Sequence, residues 1–277
     1  LIKMKKHLNR RNLKKFYGKK KKFLSKATNV NSRVEKKYNE NLSIYLKKFL
    51  KFSNQPSWNK NNSFMFSNRQ TLSRLLYINE LYKNILSVPG VICEFGVHFG
   101  GNLALLSNLR GMYEPYNYTR KIIGFDTFKG FKNDLTKKEK KLGWKEGDYS
   151  LPKNYEIYLG NLLSLHEINS PISHKKKFEL IKGDVKKTFS KYVKKNPQTL
   201  ISLAFFDLDL YTPTKFILKR ILKFMPKGAI IAFDDINNPD FPGETKAFDE
   251  VLGIKKIKLI KDMNNPQQTW SKIFQVS

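Results

Sequence analysis

Two acidic clusters late in the chain carry the first chemical signal. One is Phe206-Asp207-Leu208-Asp209-Leu210-Tyr211, and the other is Phe233-Asp234-Asp235. Each follows a short apolar run, Ile201 to Phe206 and Ala229 to Phe233, and a helix-like stretch from Thr214 to Met225 separates them. A right-handed crossover leaves its two strands parallel and usually adjacent, so both acidic ends fall on one edge of a sheet. Carboxylates gathered in one place repel one another unless a cation sits among them. A hard cation with oxygen ligands is the natural candidate. The pattern predicts a metal-assisted active site.

Three further turns lie at the ends of apolar runs. Glu94-Phe95-Gly96-Val97-His98-Phe99-Gly100-Gly101-Asn102 joins the run Val91 to Phe95 to a helical pattern starting at Asn102. Gly96, Gly100 and Gly101 let the backbone approach a ligand closely, and the amides of the helix start point at it. The spacing is not the dinucleotide fingerprint, and the lysine of a phosphate-binding P-loop is missing. The second strand, Lys121 to Phe125, leads into Asp126, placed to accept hydrogen bonds from ribose hydroxyls. The third, Phe178 to Ile181, leads through Lys182-Gly183 into Asp184, within reach of an adenine edge. Read singly, each acid is equally a strand-end cap or a solvated charge. Their shared position favours a nucleoside-bearing cofactor without a phosphate clamp, and S-adenosylmethionine fits that better than NAD.

The elements that must position these turns alternate along the chain. Helical patterns at Leu72–Leu86, Lys186–Lys195 and Lys246–Val251 interleave with the strands, the spacing of a doubly wound, mostly parallel α/β sheet. Lys256 to Lys261 and Trp270 to Val276 read as strands with no long helix between them, so they should pair antiparallel at an edge. Residues 131–177 show little periodicity, and an insertion of that length reads as a lid over the acceptor site.

Residues 1–60 read as a basic N-terminal extension and 61–277 as the main domain. Lys14 to Lys22 is nearly all lysine and reads as mobile. Val34, Tyr38, Leu42, Tyr45, Phe49 and Phe52 fall on one helix face, and Asn54 to Asn62 reads as a linker. The formal net charge of the 277 residues is +30, which points to an anionic partner. Nucleic acid is the less favoured one, because lysine greatly outnumbers the arginine that base readers use for bidentate contacts. The single cysteine, Cys93, lies in an apolar run, which excludes an internal disulfide and a cysteine metal site. No run reaches membrane-spanning length and the basic N-terminus lacks a signal-peptide core, so the expected compartment is cytoplasmic. A homo-oligomer is compatible with all of this.

The order of motifs resembles a class I S-adenosylmethionine-dependent methyltransferase, and more narrowly the macrocin O-methyltransferase family of metal-dependent sugar O-methyltransferases. The resemblance runs over residues 65–255. It rests on Pro89 to Val97 with Gly100-Gly101, Gly124 to Phe131, Lys182-Gly183-Asp184, Asp207 to Thr214, and Lys227-Gly228 leading to Asp234-Asp235. It implies a Rossmann-like seven-stranded sheet, six strands parallel and one antiparallel. It also implies S-adenosylmethionine near Glu94, Gly96, Asp126 and Asp184, and a divalent metal, commonly magnesium, on Asp207, Asp234 and Asp235. Four places depart from the family pattern: His98-Phe99, the run Ile236-Asn237-Asn238-Pro239 after Asp235, the insertion over 131–177 and the basic N-terminus. These departures concern the acceptor side.

A sugar hydroxyl is a poor nucleophile, and a dication would stabilise the developing alkoxide. Asp209 reads as a fourth ligand or an orienter, and Asp207, Asp209 or His98 as the proton acceptor. The acceptor is expected to be a sugar or nucleotide sugar, whose anionic form suits the basic surface. A nucleic-acid methyltransferase and a non-catalytic binding protein on the same fold are the alternatives. Against the first, no Asn-Pro-Pro-aromatic tetrapeptide follows the fourth strand.

Overall fold

The computed structural model describes residues 33–52, 60–265 and 269–272. The lysine run at 14–22, most of the linker and the strand expected beyond residue 272 lie outside them. The chain divides into two compact units, Leu1–Phe66 and Ser67–Ser277. In the first, α1 (Arg33–Phe52) is a single 20-residue helix, and the Phe49 and Phe66 rings lie 5.4 Å apart.

The second unit carries the sheet. Its strands are β1 (Val91–Phe95), β2 (Ile122–Asp126), β3 (Phe178–Lys182), β4 (Ile201–Phe206), β5 (Ile230–Phe233), β6 (Ile260–Lys261) and β7 (Thr269–Lys272). They lie in the order β3-β2-β1-β4-β5-β7-β6. The first five pair in parallel, and β7 runs antiparallel to both β5 and β6. The antiparallel strand therefore lies one in from the edge, with the two-residue β6 outside it. All six residues of β4 and all four of β5 are buried, the mark of parallel strands covered on both faces. Phe95 on β1 anchors the core between Phe125 and Phe206, with ring centroids 5.2 and 5.1 Å away.

The covering helices are α2 (Arg69–Asn84), α3 (Gly101–Tyr113), α4 (Lys137–Lys141), α5 (Tyr155–Ile168), α6 (Val185–Lys195), α7 (Tyr211–Ile221) and α8 (Pro242–Val251). α7 begins three residues earlier than its periodicity suggests. Pro213 falls in the first turn, where the missing N–H has no intrahelical partner to lose.

The segment 131–177 resolves into two parts. α5 is the ordinary crossover helix between parallel β2 and β3. The part before it, residues 131–154, is fastened down rather than free. Glu139 accepts from the Thr136 N–H at 2.6 Å with one carboxylate oxygen and from the Tyr211 N–H at 2.7 Å with the other. Trp144 donates to the Asp240 carbonyl at 3.0 Å, and Lys186 pairs with Asp134 at 2.6 Å. Phe131, Leu135, Trp144 and Leu210 form a small second core under this segment.

Candidate active site

Strand order reverses at β1, with β2 and β3 laid down to one side and β4 and β5 to the other. At such a switch point the loops leaving the strand ends part and open a crevice. A cavity of about 290 Å³ lies there. Gly96, His98, Asp126 and Asp184 line one flank, and Asp207, Asp209, Asp234 and Asp235 line the other. All four predicted acidic strand ends thus meet at one cavity. The flanks touch at Gly96, whose φ is +90°. A Cβ there would lie 1.7 Å from the Asp207 carbonyl oxygen, so only glycine fits.

On the first flank Asp126 organises the glycine turn. Its Oδ2 accepts from the Val97 and His98 N–H groups at 2.7 and 2.8 Å, and Oδ1 accepts from the Phe128 N–H at 2.6 Å. Asp184 caps α6 by accepting from the Lys186 N–H at 2.9 Å. Gly100, at φ +81°, precedes α3 and leaves no room for a side chain beside Leu159, while Gly101 opens the helix facing open space. His98 is exposed overall, its ring 4.1 Å from that of Phe99, and partial desolvation against its neighbours, opposed by Asp126, lowers its pKa from the ordinary 6.5.

Glu94 lies beneath the turn, 1 % exposed. One carboxylate oxygen accepts from the Asn102 side-chain amide at 2.8 Å, and the other, Oε2, is buried without a partner. Burial pushes the carboxyl up to about 8. Glu94, Gly100 and Gly101 do not themselves line the cavity, and the unpartnered Glu94 oxygen is an exception among buried polar groups that calls for an explanation.

The second flank is crowded with negative charge. Asp207, Asp234 and Asp235 each offer an oxygen within 4.8 Å of the others. Arg74 of α2 bridges two of them, ion-paired with Asp234 and 3.4 Å from Asp207. Desolvation and the facing Asp234 push Asp207 up, against the pull of Arg74. Desolvation and Asp235 push Asp209 up, and the two carboxyls share a hydrogen bond. Asp235 is raised by burial and lowered by that bond. Glu244, fully buried in the first turn of α8, does not cap its own helix. It accepts from the Leu208 and Asp235 N–H groups at 3.0 and 3.1 Å, clamping both acidic loops together.

Three participants escape a sequence reading. Arg74 carried one signal: a charge in the apolar stripe of α2, with buried Tyr77, Ile78 and Leu81 at the following helical spacings. Asn102 ended a motif read only for its glycines. Tyr149, at φ +61°, lines the cavity with its ring 5.8 Å from His98, and no pattern announces it.

The residues fit both groups the fold implies. Three carboxylates at this spacing are a hard-cation donor set, and the orphan Glu94 oxygen suits a cationic end of a cofactor. Strand order, glycine turn and strand-end acids together define a class I methyltransferase, whose cofactor is S-adenosylmethionine.

No protein-family model matches the chain, and no curated protein sequence does. Among solved structures it is similar to CalS11, described as calicheamicin methyltransferase. The identity is 37% over 87% of this chain and 93% of that one, with a TM-score of 0.78. An apo structure of CalS11, described as TDP-rhamnose 3'-O-methyltransferase, an enzyme in calicheamicin biosynthesis, matches at 36% identity, 87% and 95% coverage and TM-score 0.73. The O-methyltransferase NovP shares the fold at 17% identity, with coverage of 74% and 81% and TM-score 0.57. The chain belongs to the S-adenosylmethionine-dependent O-methyltransferase family that includes CalS11. Among the described residues no helix is long and apolar enough to cross a membrane.

Proposed function

We propose that this enzyme methylates a sugar hydroxyl with the help of a divalent ion, magnesium in the first instance, and that the sugar is carried on a nucleoside diphosphate. The observation that carries the reading is the meeting of Asp207, Asp234 and Asp235 at the cavity that also holds Asp126 and Asp184. CalS11, similar over most of both chains, is described as acting on TDP-rhamnose, and the net charge of +30 suits such a dianion.

The cofactor supplies a methyl group on a sulfonium. Glu94 Oε2 takes its cationic amino acid end, Gly96 to Gly101 let it approach the backbone, and Asp126 keeps one lone pair for a ribose hydroxyl. Asp184 reaches the base only with the lone pairs its capping role leaves over. Asp207, Asp234 and Asp235 would hold the divalent ion, which supplies charge to stabilise the developing alkoxide. Asp209 faces the cavity and would take the acceptor proton in its ionised form, once Asp235 no longer draws on the proton between them. His98 stays neutral and can receive a proton, but it stands exposed on the glycine turn, so it serves second. Residues 127–154 wall the acceptor side, with Tyr149 facing His98. A cytoplasmic location completes the reading.

The test is incubation with S-adenosylmethionine and TDP-rhamnose, in magnesium and in EDTA, with product mass as the readout. Addition of one methyl group in magnesium and its loss in EDTA supports the proposal. Equal transfer in EDTA removes the metal. Absence of transfer to any nucleotide sugar removes the acceptor class.

A further inference from the structure

Arg74 has no part in the chemistry above, yet all three nitrogens of its guanidinium are engaged. Nη1 pairs with Asp234 Oδ1, Nη2 lies 3.4 Å from Asp207 Oδ2, and Nε donates to Asn102 Oδ1 at 3.1 Å. The planar group also lies over the Phe205 ring, 5.2 Å from its centre. The Asn102 amide in turn reaches Glu94, so one chain of contacts joins the cofactor flank to the acid flank.

We propose that Arg74 is the built-in counter-cation of the acid centre. It holds Asp207 and Asp234 together while no divalent ion is bound, and it keeps the hold on that ion weak. The inference rests on the divalent-ion reading of the same site.

The argument is one of charge. A chain folds before it loads an ion, and partly buried carboxylates facing one another without a cation are strongly unfavourable. Arg74 answers that need with a charge that cannot be titrated away. Arg74 meets Asp207 at Oδ2 and Asp234 at Oδ1, the same two carboxylates that gather with Asp235 as a cation donor set. Ion and guanidinium then share the pair, and like charges a few ångströms apart repel strongly where water is scarce. Removing the guanidinium charge removes that repulsion, so the ion should bind more tightly although the fold is less well held.

The experiment is calorimetric titration of Mg²⁺ into the wild type, Arg74→Gln and Arg74→Lys, with melting curves in EDTA and in saturating Mg²⁺. Arg74→Gln should bind Mg²⁺ about tenfold tighter or more, because a full charge beside the ion is gone. It should melt lower in EDTA and recover more on adding Mg²⁺ than the wild type does. Arg74→Lys keeps the charge and should stay within roughly threefold of the wild type. If Arg74→Gln binds no tighter than the wild type, the proposal is overturned and the metal reading stands. If no form binds Mg²⁺, both fall. Should Arg74→Gln fail to fold in either buffer, Arg74→Lys decides: tight binding there would show that charge is not the cause.

Discussion

Asp126 and Asp207 stand at matching places on either side of β1, one closing β2 and the other following β4. Their surroundings differ. Asp126 accepts three backbone N–H bonds and holds the glycine turn in shape. Asp207 faces Asp234, Asp235 and Glu244, with the Arg74 guanidinium against them. The same side chain at the same kind of strand end is a structural tie on one flank and an unresolved charge on the other. Where a fold tolerates charge that it does not satisfy, function is the usual reason. The flank of Asp126 is satisfied within the protein, except at Glu94, whereas the acid flank keeps its carboxylates crowded.

The largest break in that comparison comes from Asp235→Asn. It keeps the shape and removes one crowded charge, so methyl transfer should fall about a thousandfold, as when a preorganised electrostatic group is lost. The melting temperature should hold or rise. Activity and melting measured on one preparation check this, and a melting loss with unchanged activity would make the residue structural.

Asp126→Ala should do the reverse in kind. Three N–H groups lose their acceptor, each costing about 1 kcal/mol or more where water cannot replace it. A melting temperature several degrees lower in EDTA, without ligand, would mark it as a tie. Cofactor binding should vanish with it, by calorimetry. An unchanged melting curve would mean that its bonds are incidental and that the residue serves the cofactor alone.

Glu244→Gln probes the clamp beneath the acid flank. An amide can replace only one of the two oxygens now accepting from Leu208 and Asp235, so one buried N–H is stranded at a cost of about 1–3 kcal/mol. Activity should drop further than stability explains, since both acidic loops move. A double variant with Asp235→Asn should be less than additive if the two act through one loop.

Much of this was legible because β1 and β4 are mostly apolar runs, broken only by Glu94 and Ser202 and ending in glycine or acid, as strands covered on both faces do. The meeting of the acids followed from crossover handedness alone. α5 was hard to read for a physical reason. Ile157, Tyr158, Leu165 and Ile168 leave apolar side chains exposed around it, blurring the one-sided stripe that marks a helix. The strand expected over Lys256 to Lys261 shrinks to two residues, because a turn occupies 254–256 and only β7 is there to pair with it. Arg74 was illegible for a different reason: its partners are 133 and 160 residues away, and only the folded sheet brings them together.

The smallest expected effect concerns the one unfinished point on the cofactor flank. Glu94 has its pKa raised by burial from 4.5 to about 8. Below about pH 4.5 both folded and unfolded chains hold this proton, and its contribution to stability is intact. As the pH rises toward 8 the unfolded chain ionises first, so the ligand-free enzyme loses stability across that window. Glu94→Gln cannot ionise, and its melting temperature should fall less between pH 5 and 8 than that of the wild type, which checks the sign. A cationic ligand group placed against Oε2 favours the charged form. S-adenosylmethionine should therefore bind with release of a proton near neutral pH and more tightly as the pH approaches 8. Calorimetry in two buffers of different ionisation heat reads that proton directly, and Glu94→Gln should abolish it. A binding heat that does not depend on buffer would place the cofactor's amino group elsewhere, and Glu94 would then be one more buried tie, like Asp126.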